Sequence, residues 1–285
     1  MITLDPELVL AAREGNRAAL EAVVRAAERP VYNLALRMLA NRADAEDATQ
    51  EILVKIVTRL GGLREPAAAG GWAMRVAARH LVRERRRGRV EALRLDFGAF
   101  AEDLAEGAAP GHESGLSEAE YALAVKEVRI GCTLAMLVCL SRDLRIAYIL
   151  GDVFELTETE AAAVLEIAPA TYRQRLKRAR DRVSAFVAKG CGVASAGAPC
   201  RCDRRVVPAL AKGRIARGRP VFGPEAGTAE DPARVEARVQ ALEESRRAAA
   251  LMRATPDFAT EVGALTLQVL DRLQGGEAPP GGSLH

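Results

Sequence analysis

Apolar residues recur three and four positions apart from Leu8 to Leu60, almost without proline or glycine, and this spacing predicts helix across the segment. A second helical block is predicted from Trp72 to about Arg87. Between the two, Gly61, Gly62, Pro66, Gly70 and Gly71 mark a loop. Helical periodicity returns from about Ser117 to Val187 and stops at Lys189-Gly190-Cys191. A Gly, Pro and Cys-bearing stretch follows to about Thr228. Asp231-Pro232 and Thr255-Pro256 each set a capping residue before a proline at a first helical position. Two last helices are therefore expected, the second with Phe258, Val262, Leu265, Val269 and Leu273 in one stripe. The tail from Gly275 to His285 reads as disordered. No segment sustains the alternation of a strand and no repeat recurs at a fixed period, so the fold class is all-α.

The length of 285 residues, with 49% hydrophobic and 28% charged residues, allows about two domains. No run approaches the ~20 apolar residues that span a bilayer. The start, Met1-Ile2-Thr3-Leu4-Asp5-Pro6, lacks the basic and apolar regions of a signal peptide, so a cytoplasmic protein without membrane contact is expected. The formal charge is only +3, but lysine occurs only at Lys55, Lys126, Lys177, Lys189 and Lys212, so nearly all the positive charge is arginine. A codon bias toward Arg and Ala would account for the total, so where the arginines cluster is more informative. From Glu91 to Glu120 eight acids face only Arg94, with Gly and Pro interspersed, which describes a linker and not a core.

Two segments concentrate arginine: Arg79 to Arg89 and Arg173 to Arg182. A basic helical face attracts phosphate backbone with salt-sensitive affinity but carries no sequence information by itself. The second cluster has a more specific context. Thr157-Glu158-Thr159-Glu160 forms a capping box that starts a short helix, and Ala161, Ala162 and Ala163 keep that helix slim. Glu166-Ile167-Ala168-Pro169 makes a turn into a helix whose Tyr172, Leu176, Ala179 and Val183 point inward. Arg173, Gln174, Lys177 and Arg178 then face outward. This is a helix-turn-helix, whose second helix enters the major groove and can read guanine through Arg and adenine through Gln.

Here the chain resembles bacterial RNA polymerase sigma factors of the extracytoplasmic-function group. Leu156 to Arg180 is similar to the promoter-reading helix-turn-helix of that family, with Gln174-Arg175-Leu176-Lys177-Arg178-Ala179-Arg180 as its arginine-rich run. Asp44-Ala45-Glu46-Asp47-Ala48-Thr49-Gln50-Glu51 resembles the polymerase-binding signature, and Trp72 to His80 resembles the helix that follows it. Three motifs in the family's order are far more specific than one. The resemblance implies a sigma factor that binds core RNA polymerase and promoter DNA and initiates transcription without catalytic chemistry of its own. It implies polymerase contacts at Asp47, Gln50 and Glu51, whereas Asp44 on its own chemistry reads as a natural helix N-cap. It also implies DNA contacts at Arg75, Arg79, His80, Arg83 and Arg86 in the first domain, and at Thr171, Arg173, Gln174, Arg175, Lys177 and Arg178 in the second. Trp72 is expected as a core anchor. His80 stands at the family's asparagine position, and Glu166 replaces a turn glycine where a left-handed backbone is expected, at ~1 kcal/mol.

The organisation that follows is 1–90 as an N-terminal sigma domain, 91–116 as an acidic linker, and 117–188 as a C-terminal sigma domain. After these come 189–229 as a Cys-bearing segment, 230–274 as a helical extension ending in a hairpin, and 275–285 as the tail. Regulation by the extension within the chain, or by an anti-sigma factor, is open. Cys132 and Cys139 read as core thiols. Cys191, Cys200 and Cys202 have cationic neighbours, which lower thiol pKa. Their spacing supplies three of four ligands for zinc or another thiophilic metal, although no cofactor is required; a metal site, a redox switch and a structural turn all stand open. A second reading is a metal- or redox-sensing helix-turn-helix regulator acting without polymerase, which would not need the Asp44 to Glu51 signature.

Overall fold

The computed structural model describes residues 2–83, 89–105, 115–222, 232–255 and 258–274. Among the described residues it is all-α, with thirteen α-helices and no strand. The first unit holds α1 (Pro6–Arg13), α2 (Arg17–Leu39), α3 (Arg42–Arg59) and α4 (Ala69–Arg83). The continuous helical pattern breaks where Asn16 and Asn41 cap α2 and α3, each accepting a backbone N–H three residues on. Asn41, not Asp44, is therefore the cap of α3. Asp44 lies in the first turn, and its carboxylate accepts the Arg89 backbone N–H at 2.7 Å. Leu34 and Met38 of α2, Ile52, Leu53 and Ile56 of α3, and Met74 and Leu81 of α4 fill the core between them. Gly70 and Gly71, expected in a loop, lie inside α4; the Ile2 carbonyl sits where a Cβ of Gly70 would be, so glycine serves packing there.

The acidic segment is not a free linker. It contains α5 (Phe97–Ala105), whose buried Phe100 stacks on Phe186 at a ring separation of 5.3 Å. Asp103 receives ion pairs from Lys212 and Arg214, and their hydrogen bonds hold its carboxyl well below the usual range. The second unit comprises α6 (Glu118–Val138), α7 (Arg142–Tyr148), α8 (Glu158–Leu165) and α9 (Pro169–Gly190). A π-turn at Ile149–Val153 carries α7 toward α8. Ser117 with Glu120, and Thr157 with Glu160, form capping boxes at the starts of α6 and α8.

The extension holds α10 (Val206–Ala211), α11 (Pro232–Gln240), α12 (Glu244–Arg253) and α13 (Val262–Gln274), so three helices, not two, follow residue 230. Thr255 caps no helix because its hydroxyl is already used: it donates to Met252 O and accepts from Arg37 Nη2 at 3.0 Å. The α11 and α12 helices pack as a hairpin, whereas α13 lies on α2 and α3. Val262 and Thr266 are buried and Leu265 is exposed, which rotates the expected stripe. The Leu273 side chain and residues 275–285 lie outside the described residues.

One buried guanidinium joins the units. Arg145 of α7 donates to Leu137 O at 2.9 Å, Val138 O at 3.1 Å and Leu140 O at 2.9 Å, satisfying the end of α6. It also reaches Met38 O at the end of α2 and Glu91 Oε1 at 2.7 Å. Burial alone would raise the pKa of Glu91, but hydrogen bonds and charge from Arg142 and Arg145 outweigh it and hold it low. Replacing Arg145 by Met leaves Glu91 buried without its full countercharge, and should destabilise the protein by roughly 3–5 kcal/mol. Adding Glu91→Leu should restore most of that loss in urea unfolding. Because the Glu91 pKa is lowered, its contribution is complete above the ordinary glutamate value and is lost as pH falls through the folded value. Acid unfolding of Glu91→Gln should accordingly lack that part of the pH dependence.

Candidate nucleic-acid interface

The α4 helix presents Arg75, Arg79 and Arg83 at successive turns, and with Lys55, Arg59 and Trp72 they line a groove of about 530 Å³. Trp72 packs against the core yet is only half-buried at this groove, so it is not solely the anchor expected. His80 is turned away from solvent, with 7% of its side chain exposed. Lys55 Nζ donates to its Nδ1 at 2.6 Å, which leaves the proton on Nε2, 3.7 Å from Glu51 Oε2. His80 thus ties α4 to α3 while its ring also lines the groove between Lys55, Arg79 and Arg83. Arg86 lies outside the described residues.

The groove is closed from the other unit. Glu166, at the helix-turn-helix turn, forms an ion pair with Arg79 and lines the same groove. Its backbone is left-handed, φ 55°, as the glycine-like position predicts. The Arg79 hydrogen bond, with the charges of Arg75 and Arg83 behind it, holds the Glu166 carboxyl below its usual range. A non-glycine residue is kept in a strained turn, and its carboxylate is the acidic group among the cations lining the groove.

The helix-turn-helix has the expected orientation: Tyr172, Ala179 and Val183 are buried, while Thr171, Arg173, Gln174, Lys177 and Arg178 are exposed. Several of its cations have acid partners. Arg173 pairs with Glu158, Arg175 is half-buried against Asp143 at 3.1 Å, and Lys177 meets Asp181 at 2.7 Å. At the base, Asp152 accepts bidentately from Arg180 and fixes the π-turn against α9. Asp47, Gln50 and Glu51 share one face of α3; Asp47 and Glu51 are exposed and Gln50 is half-buried.

The thiols depart from expectation. Cys191 ends α9 and bridges Cys200 through the backbone, with Gly192 N–H donating to Cys200 O at 3.0 Å. Burial dominates the arginine neighbours: it pushes Cys191 and Cys200 up, and Cys202 to about 12. Cys132 of α6 lies near the trio, and burial followed by the proximity of Cys191, Cys202 and Cys200 raises it further. The linear spacing could not reveal that fourth thiol, which reads as an isolated core residue. Among the described residues no group of three or more His, Cys, Asp or Glu is placed to hold a metal ion. No helix among them is long and apolar enough to cross a membrane.

Residues 23–90 match the sigma-70 region 2 family model and residues 130–183 match that of sigma-70 region 4. The chain is 31% identical over 183 residues to the ECF RNA polymerase sigma factor SigE of Mycolicibacterium smegmatis, covering 61% of this chain and 65% of that protein. It is 30% identical over 178 residues to the ECF RNA polymerase sigma factor SigC of Mycobacterium tuberculosis, covering 62% and 88%. It thus spans just under two thirds of the length of the first relative. The region 2 match includes the Asp44 to Glu51 signature, which disfavours a regulator that acts without polymerase.

Replacing Glu166 by Gly should shift global stability by less than about 1 kcal/mol, because relief of the left-handed strain offsets loss of a surface ion pair. The same change should strengthen binding to duplex DNA and steepen its salt dependence by about one charge, read by fluorescence anisotropy across a salt series.

Proposed function

The chain belongs to the extracytoplasmic-function RNA polymerase sigma factors, and from that membership we propose that it binds core RNA polymerase in the cytoplasm and directs promoter-specific initiation, with no catalytic chemistry of its own. The observation that carries this reading is one chain with both units: a basic groove on α4 beside an exposed acidic face on α3, and a helix-turn-helix with an outward row of Arg, Gln and Lys. Asp47, Gln50 and Glu51 are the proposed polymerase contacts. Arg75, Arg79 and Arg83 track phosphates, and Arg173, Gln174, Lys177 and Arg178 read the upstream element. His80 joins α4 to α3 through Lys55 and Glu51 and lines the same groove as the three arginines.

We further propose that the extension regulates the two domains by holding them closed. Its segments reach both. Asn33 of α2 exchanges hydrogen bonds with the Phe258 backbone at 3.0 Å, Arg37 lies over the Phe258 ring, and Glu28 accepts the Gly263 N–H at 2.6 Å. On the other side, Arg253 donates to Asp152 O at 2.9 Å and pairs with Glu155. The α12 helix also packs on α9. Thiol chemistry at Cys191, Cys200 and Cys202 would act on this same seam, since Cys191 ends α9.

Run-off transcription with core polymerase is the test of the main reading: Asp47→Ala with Glu51→Ala should lower polymerase affinity at least tenfold without changing DNA binding by the isolated protein. Failure of the intact chain to co-purify with core polymerase would sink the proposal. For the extension, truncation after Val187 should raise promoter binding and output. Because truncation uncovers buried surface, Arg253→Ala combined with Phe258→Ala in the full chain gives a second readout. Unchanged promoter binding and transcription in both would remove the regulatory reading.

A further inference from the structure

A cavity of about 760 Å³ opens between α5, the C-terminal half of α9 and the loop that carries Cys200. Its size falls within the roughly 300–1,000 Å³ of small-molecule sites. The walls are two facing stripes. On α5 they are Phe97, Ala101 and Leu104, and on α9 Phe186 stands between Arg182 and Lys189; both stripes have the i, i+4, i+7 spacing of one helical face. The Phe97 and Phe186 rings meet at 5.1 Å, so the interior is aromatic and aliphatic.

Every charged residue that lines the cavity is cationic, and three of them, Arg182, Lys189 and Arg204, are exposed at its edge. Arg182, Lys189, Arg201, Arg204 and Arg205 line the cavity, and no Asp or Glu does so among the described residues. Two of the five have structural duties. Arg201 donates to the carbonyls of Ala196, Ala198 and Cys200, and Arg205 to those of Asp103 and Leu104 at the end of α5. Arg182, Lys189 and Arg204 form no ion pair among the described residues, unlike the cations of the helix-turn-helix. Like charges gathered without a counter-charge repel one another, and an anion at the mouth relieves that repulsion.

We propose that this cavity is a binding site for a single-chain amphiphile with an anionic head, such as a medium-chain carboxylate, its apolar tail between α5 and α9 and its head at Arg182, Lys189 and Arg204. The tail removes apolar surface from water on both walls, and the head supplies the missing charge. Neither a nucleic acid, which has no use for an apolar slot, nor a neutral hydrocarbon, which leaves the cations uncompensated, fits both features. Bound there, the ligand ties the inter-domain helix α5 to the helix-turn-helix. The site stands independently of the promoter-binding reading.

Isothermal titration of the full-length protein with dodecanoate, below its micelle concentration, should show one site with micromolar affinity. Dodecan-1-ol and butanoate, which keep only the tail or only the charge, should each bind at least tenfold more weakly. Ala101→Trp fills the cavity from an exposed helical position and should abolish binding while circular dichroism and thermal unfolding stay unchanged. Arg204→Gln should weaken dodecanoate at least fivefold and leave dodecan-1-ol unaffected. Equal binding of the three probes, several weak sites, or indifference to Ala101→Trp would overturn the proposal. So would dodecanoate binding that emerges only after Glu106→Gln and Glu113→Gln, because the occupant would then be the chain's own acidic segment.

Discussion

The closed arrangement depends on the guanidinium of Arg145 being satisfied on every side. A buried cation is tolerable only with full hydrogen bonding and a countercharge, and those partners come from three parts of the chain. The carbonyls at the end of α6 bring the second unit, Met38 O brings the first, and Glu91 brings the segment between them. None of the three can withdraw without leaving a charge or a carbonyl exposed to an apolar interior. The buried pair therefore specifies which surfaces of the two units meet, a role that generic apolar packing between helices would fill less selectively.

Around that joint, electrostatics repeat one theme: basic groups suited to phosphate hold acid partners from the same chain. Arg79 has Glu166, Arg173 has Glu158, Arg175 has Asp143 and Lys177 has Asp181. Exposed pairs of this kind are individually worth ~1 kcal/mol or less. Their effect is on exchange: a polyanion that engages these cations must displace a carboxylate at each step, which reduces the gain from every contact. The small net charge of +3 reflects this internal neutralisation as much as any lack of basic surface.

Much of this was legible in the sequence where the information is local. The Thr157 to Glu160 capping box, the left-handed position at Glu166 and the inward row Tyr172, Ala179 and Val183 follow from short-range geometry and hold in the structure. What depends on tertiary partners was not. Glu91 and Asp103 read as solvated linker acids because Arg145, Lys212 and Arg214 lie 54 to 111 residues away. Thr255 reads as a helix cap until Arg37, 218 residues distant, takes its hydroxyl. The arginines near Cys200 suggest an acidic thiol, but burial, which no linear pattern reports, outweighs them. His80 carried the same ambiguity: a ring in a basic run looks like a phosphate contact, and only the fold sets it between Lys55 and Glu51.

The contact of Asn33 with Phe258 spans 225 positions of the chain, and that separation has a consequence in time. A growing chain exposes its helix-turn-helix well before the residues that fasten it to α2 have been made. Between the end of α9 at Gly190 and Phe258 lie 68 residues of further synthesis, which at roughly 5–20 residues per second takes about 3–14 s. During that interval both units can fold while the fastening does not yet exist. A newly made molecule thus passes through a phase, its length set by the ribosome, in which the two units can already meet through Arg145 but the fastening of the last helices to α2 is still missing.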